Sequence, residues 1–402
     1  MIAATMTCVA AATEALAQDG STVLNGQINL NDSVANVTLD VVDADSVDVD
    51  VSAQGNDATA AFVGVDAAIV SDQTTEGGSR ATLEMTLGGD TGAVDARVQA
   101  SGNYLAATAE ASAVDVDARQ TVGAPSMIAR ARLEDDEARL LEGGTIASAA
   151  NGNVAALGAT SGRITGVIDQ TSAAASVDAG TLGVTQYIPA RADFTAQALG
   201  NAVQSTGTGA SSANLEVRQT SSGALVTAAT SANAGNAWDL AGRARAAANQ
   251  TVIHNAGGSV VSRIDQTSQS AVAAASLVTA YDYGRAEAAA EAAGNAVEVG
   301  NNDRYVEIDN TQFNGGVITA DATFAGAYGY DAYVGANASG NVVVGYACAE
   351  CEATLVATNT QTNAAAVTAT ANVQVGGAGR TTVAGANAVG NRATFYVTGS
   401  GN

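Results

Sequence analysis

Few residues in this 402-residue chain have the type and spacing to do chemistry. Cys348 and Cys351 stand three apart in "YACAECEA". That spacing suits half of a zinc site, a redox pair or a short disulfide. A zinc site wants about four ligands, and neither a second cysteine pair nor a histidine cluster is present. A thioredoxin-type pair needs a strand-to-helix setting that the surrounding residues do not provide. A small disulfide closing a turn is the expected state in an exported protein, with free thiols as the alternative. The single histidine, His254 in "TVIHNAGG", has no HExxH or triad context and reads as a structural turn residue. The acidic run Asp40 to Asp50, "DVVDADSVDVD", lacks the glycine and terminal glutamate of an EF-hand loop. It also lacks the GGxGxD nonapeptides of calcium β-rolls. Alternating aspartates on the solvent face of a strand account for it. No catalytic residue, metal ligand or cofactor motif is assigned.

Composition narrows the field further. There is no lysine, one tryptophan (Trp238), two prolines, and an apolar fraction of 47% with only 4% aromatic. Such a chain cannot fill a thick core, but alanine and valine can fill a thin interior between closely spaced sheets. The net charge of −24 repels nucleic acid and anionic lipid. No run of 18 or more strongly apolar residues is present, so no transmembrane helix is expected. Residues 1–17 end in Ala15-Leu16-Ala17, a small-residue cleavage pattern, and read as an export signal. The stretch is short and lacks a basic residue, so it is read as truncated or mis-started. Cys8 would leave with it. Residues 18–402 form a single repetitive domain with no linker.

The elements that must position any site follow from a repeat. Ile-Asp-Gln-Thr-Ser occurs at residues 168–172 and again at 264–268. Glutamines mark the intervals: Gln27, Gln73, Gln120, Gln170, Gln219, Gln266, Gln312 and Gln361. A Gly-Asn pair follows each at an offset of about 30, with Ala248-Asn249 substituting in one unit. Within units such as "VDVDVSA" and "NLEVRQT", apolar and polar residues alternate with the period of a strand. Eight units of about 48 residues therefore predict an all-β, elongated β-solenoid in which each unit stacks on its neighbours. Gln73, Gln120, Gln170, Gln219, Gln266, Gln312 and Gln361 are expected to form one structural ladder, each amide bonding the next.

Finer expectations follow. Each unit is read as about four short strands, with Gly-Asn at tight turns that use positive φ. Two coils of about 24 residues per unit is the favoured division; one wide coil or two antiparallel hairpins are the others. "MIARARLEDDEARLLEGG", residues 127–144, has helical spacing and predicts a short helix or loop projecting from the stack. "RAEAAAEAA", residues 285–293, keeps the repeat register and is expected to be a strand despite its helix formers. Eight of ten tyrosines lie after residue 280. "AYGYDAYV" reads as a turn that presents Tyr328, Tyr330 and Tyr333 as candidate ligand contacts, since tyrosine rings stack on sugars. Packing of the solenoid end is the bland alternative.

The opening unit "QINLND…SAQGNDATA", the recurring Gln and Gly-Asn marks and the Ala/Val-rich, aromatic-poor chain resemble the holdfast anchor proteins of stalked, surface-attaching bacteria. The repeat style is also similar to that of curli subunits, although the unit here is about twice as long. The resemblance implies a non-enzymatic, outer-membrane-associated adhesin at the cell surface. It would tether an adhesive polysaccharide of amino-sugar type, alongside companion envelope anchor proteins. Self-assembly stays open. A polysaccharide-active enzyme on a β-helix and a subunit of an amyloid-like fibre are the rival readings.

The cysteine assignment is testable by mass spectrometry of alkylated, unreduced protein. The expected result is no alkylation at Cys348 and Cys351; two alkylated thiols would exclude the bond. The loop it closes is tiny, so reduction should shift the melting temperature little.

Overall fold

The computed structural model describes residues 20–123, 125–303, 305–348, 353–377 and 379–397. Cys351 and the 1–17 segment lie outside these, so the disulfide and the export signal are not described. The chain winds into eight stacked coils of parallel strands. In coil 2 a first strand, Ala67–Thr75, carries Gln73, and a second strand, Ser79–Leu87, follows after a short turn. A long return strand, Asp90–Glu110, then runs back past both. The first strands of all eight coils stack in chain order into one sheet. In coils 4–7 the second and return strands are continuous, as in Ser176–Thr208 and Ala271–Asn301.

Each repeat is thus one wide coil. Gln73 pairs in register with Gln27 on one side and Gln120 on the other. The favoured division into two coils is wrong, and so is the count of four short strands per unit. The alternation shows which residues face inward, but not where the chain reverses.

Two apolar compartments fill the coil. In coil 2, Leu83, Met85 and Leu87 of the second strand face Val94, Val98 and Ala100 of the return strand. Ile69 of the first strand faces Leu105, Ala107 and Ala109. The inward set of the return strand changes phase between Ala100 and Asn103, at Gly102. Between the compartments lie Gln73 and Asn103, both fully buried.

Those two amides clamp the walls of the coil together. Gln73 Nε2 donates to Gln27 Oε1 at 2.8 Å and to the carbonyl of Tyr104 at 2.9 Å. The same pair of bonds recurs along the stack, so Gln120, Gln170, Gln219, Gln266, Gln312 and Gln361 each donate to the preceding glutamine and to a carbonyl of the return strand. Asparagines run the other way. Asn103 Nδ2 donates to Asn153 Oδ1 of the next coil at 2.8 Å and to the carbonyl of Thr121 at 2.9 Å. Asn56, Asn153, Asn201, Asn249, Asn295 and Asn341 repeat this pattern. Both hydrogens of each buried amide are therefore used, which removes the large cost of an unmet buried donor.

The Gly-Asn pairs lie inside the return strand, not at turns, and their glycines do not have positive φ; that conformation belongs to Gly64, Gly143, Gly166, Gly209, Gly257 and Gly258. The need for glycine is close approach. A Cβ at Gly200 would sit 2.5 Å from the carbonyl oxygen of Ala248 in the next coil, and one at Gly102 would sit 2.7 Å from that of Gly152.

The projecting helix or loop expected at residues 127–144 is also absent. Ser126–Glu134 is a second strand of the stack, and the return strand starts at Arg139. Met127, Ala129, Ala131 and Leu133 are all fully buried. Their period of two, together with ladders on both sides, outweighs the helix propensity of the intervening residues. Residues 285–293 are strand, within Ala271–Asn301.

Two stability predictions follow. Gly200→Val should destabilise the protein by about 1–3 kcal/mol through overpacking, with Gly200→Ala milder because Ala248 is accommodated in the next coil. Equal melting of Gly200→Val and the parent would rule out the close approach. Gln170→Leu should cost about 2–5 kcal/mol in urea denaturation, because it strands Gln120 Oε1, a Gln219 hydrogen and the carbonyl of Ala202. An unchanged midpoint would mean that the clamp contributes nothing.

Candidate functional site

The glutamine ladder is interior and cannot meet a ligand. The outer surface of the stack carries the candidates. The most differentiated spot is the corner between second and return strands in coils 5–8. There the ladder skips Trp238, Gly284 and Tyr330, which follow the in-register triplet Ala237, Tyr283 and Gly329. A side chain at a skipped position can splay outward. Trp238 is 62% exposed, Tyr281 63%, Tyr328 56% and Tyr330 52%. A Cβ at Gly284 would lie 2.8 Å from the Trp238 ring, so glycine there leaves room for the indole against the neighbouring coil. Tyr281 and Tyr328 meet edge to face at 5.5 Å.

Charges flank the rings. Asp239, Arg285 and Asp331 occupy one in-register column of alternating sign. Arg285 lies over the Tyr333 ring at 5.3 Å and Arg380 over the Tyr330 ring at 5.6 Å. Arg380 Nε donates to Asp331 Oδ1 at 3.0 Å. That hydrogen bond is the main reason the Asp331 carboxyl lies below its ordinary range. Beneath the corner, Tyr283 is buried edge-on to Phe324 at 4.8 Å. Burial, with Asp331 nearby, raises its phenol above the usual value. Trp238, Arg285, Tyr330, Asp331 and Arg380 line an open groove of about 540 Å³.

The structure therefore brings Tyr328, Tyr330 and Tyr333 to one corner, but within the strand Ile318–Ala347 and not on a turn. It adds Tyr281, one of the eight tyrosines after residue 280, and Trp238, which reading the tyrosines alone misses. A signal was available: Trp238 precedes Gly284 by 46 residues, and Gly284 precedes Tyr330 by 46. Two other tyrosines lie apart from them. Tyr346 and Tyr396 stack at 5.7 Å at the far end of the return strands. Near them His254 Nε2 lies 2.9 Å from Glu298 on the surface.

The arrangement suits stacking and hydrogen bonding. Among the described residues no group of His, Cys, Asp or Glu is placed to hold a metal ion. A larger open groove of about 820 Å³ runs over coils 1–3, past Asp32, Val34 and Arg80, but offers no aromatic ring. A second charged cluster, Arg191, Asp193, Arg243 and Glu287, joins the corner through Arg285, whose Nη2 donates to Glu287 at 3.1 Å. Burial opposes the Asp193 carboxylate, yet hydrogen bonds from Arg191 and Arg243 hold it below its ordinary range.

No curated protein and no solved structure matches the chain. The family model of holdfast attachment protein D matches residues 41–317. The match runs from the end of the second strand of coil 1 through the first strand of coil 7, with Trp238 and Tyr281, and ends before Tyr328. Spanning well over half of the sequence, it shows that this chain belongs to the holdfast attachment protein D family.

Proposed function

We propose that the protein is a non-enzymatic anchor, exported to the cell surface and associated with the outer membrane, that tethers an adhesive amino-sugar polysaccharide of the holdfast to the envelope. A role in holdfast attachment follows from the family; the polymer, the location and the companion anchor proteins are this proposal's own content. The observation that carries it is the corner of coils 5–8, where exposed rings lie beside ordered arginines and aspartates on a rigid stack. Flat aromatic faces receive the apolar faces of sugar rings at low entropic cost. Arginine and aspartate supply donors and acceptors for hydroxyl and amide groups. The net charge of −24 adds long-range attraction for any deacetylated, ammonium-bearing sugars. That attraction acts over roughly 10 Å at 0.1 M salt.

A polysaccharide-cleaving enzyme is the second reading, because Arg285 stands between Asp239 and Asp331 as an Arg–carboxylate pair would in such a site. Against it, Asp331 is held ionised by Arg380 and is a poor proton donor or acceptor near neutral pH.

Retention of purified protein on partly deacetylated amino-sugar polymer, across a salt series, tests the anchor. Retention should fall as salt rises, and replacing Tyr328, Tyr330 and Tyr333 with alanine should weaken it about tenfold. Trp238→Ala should weaken it as well. Salt-independent retention would remove the electrostatic component, and full retention by the triple variant would remove the aromatic one. Shortening of the polymer during the assay would favour the enzyme.

A further inference from the structure

The outer face of the return strands carries rings at both of its edges. The corner rings of coils 5–7 stand where these strands begin. A second row stands where the strands finish. There His254 of coil 5, Tyr346 of coil 7 and Tyr396 of coil 8 share one in-register column, with Gly300 of coil 6 between the first two. We infer that this second row is a further ligand subsite, and that one chain of the polymer crosses the stack to touch both rows. The inference rests on the anchor reading and extends it.

The first observation is that the two rows are built alike. Trp238, Gly284 and Tyr330 follow one another at 46 residues, and so do His254, Gly300 and Tyr346. Each member of one row therefore lies 16 residues along the same strand from its counterpart in the other. In both rows the glycine of coil 6 makes room for a ring. A Cβ at Gly284 would crowd the Trp238 ring, and one at Gly300 would overlap the Tyr346 ring. The earlier coils hold no ring in the second column, which reads Ala61, Thr108, Gly158 and Thr206 before His254.

The second row also has the parts of a sugar subsite. The His254 and Tyr346 rings lie 6.0 Å apart, and those of Tyr346 and Tyr396 5.7 Å apart and nearly parallel. His254 Nε2 is 2.9 Å from Glu298 Oε1, and both side chains are close to half exposed. Burial raises the Tyr346 phenol above its ordinary value, and Glu298 and Tyr396 add to the effect. Tyr346 therefore keeps its proton and stays a donor. Rings to receive a sugar face, a carboxylate to accept from hydroxyl or ammonium groups and a phenol to donate are gathered in one place.

Both rows belong to the same strands and the same outer face, so a single chain can meet them. Sixteen residues at about 3.3 Å each put the rows about 50 Å apart along the strand. The strand bends at its Gly-Asn pair, where Leu199, Ala202 and Ala247 pack together and are buried. The direct crossing is shorter for that reason. The ground between the rows is clear. Ala289, Ala293 and Ala296 in coil 6, with Gly335 and Ser339 in coil 7, carry no bulk that would lift a chain away. A rigid stack fixes the separation, so a polymer held at one row presents its further sugars to the other at high local concentration.

The single tryptophan lies in one row and the single histidine in the other, so each row reports its own occupancy. The full chain is titrated with partly deacetylated chitin oligosaccharides of graded length. Trp238 fluorescence and the His254 imidazole NMR signals are read together. Short oligomers should move the two reporters weakly and at separate midpoints. Oligomers long enough to cross should move both at one midpoint, about a hundredfold or more tighter. Tyr346→Ala, with unchanged circular dichroism, should return the long-oligomer midpoint at Trp238 to the short-oligomer value. It should leave the short-oligomer midpoint there as in the parent. A His254 signal that never moves while Trp238 responds overturns the inference and leaves the anchor reading standing. So does a Trp238 midpoint that does not tighten with length. Silence of both reporters at every length overturns the anchor reading and this inference with it.

Discussion

A thin β-stack has to satisfy polar groups where no water can reach them, and here the clamp of glutamine and asparagine does so. Each buried amide uses one hydrogen along the stack and the other across the coil. The first sets the height of one coil on the next; the second ties the first strand to the return strand and divides the interior into two compartments. Neither amide could be met alone. Gln170 depends on Gln120, Gln219 and the carbonyl of Ala202, so a coil that shifted by one residue would strand several buried groups together. Register is held by polar satisfaction more than by the shape of apolar side chains, which are mostly alanine and valine. The two ladders also run with opposite polarity, so their amide dipoles oppose one another along the stack.

The outer surface is free to vary once the interior is set in this way. Its aspartates and arginines form local pairs, such as Arg97 with Asp95 at 2.7 Å, that are exposed and contribute little to stability. The corner of coils 5–8 departs from that background. Trp238, Gly284 and Tyr330 stand at positions that make no ladder pair, so no backbone partner fixes the side chains there. A glycine in the middle coil lets a large ring span it. A rigid stack that presents rings at fixed spacing suits a tether, which has to hold a polymer without rearranging.

Much of the fold was legible because stacking forces like residues to like heights. The period, the all-β class and the strand at residues 285–293 all follow from that. What was not legible has physical reasons. Gly-Asn was read as a tight turn because positive φ and close backbone approach both demand glycine, and the residue type does not distinguish them. Residues 127–144 were read as a projection because Arg130, Arg132 and Glu134 are good helix formers, while the inward set Met127, Ala129, Ala131 and Leu133 carries the strand. The reversal points of the coil leave no clear mark, and a period of about 48 divides evenly into two coils of about 24. Yet one glutamine per 48 residues would leave every second coil without a clamp. At the corner, the tyrosines drew notice by their number, whereas Trp238 becomes visible only when positions are compared one period apart.

Hydrogen exchange of side-chain amides, followed by NMR with selective glutamine and asparagine labelling, tests the clamp most directly. Gln120, Gln170, Gln219 and Gln266, with Asn103, Asn153, Asn201 and Asn249, should show both carboxamide hydrogens protected to a similar degree as the backbone of the strands that carry them. The exposed Asn36 and Gln269 should exchange at the rate of free side chains. Ladder amides that exchange as fast as Asn36, in a protein whose backbone is protected, would show that the stack stands without the clamp and would contradict the account.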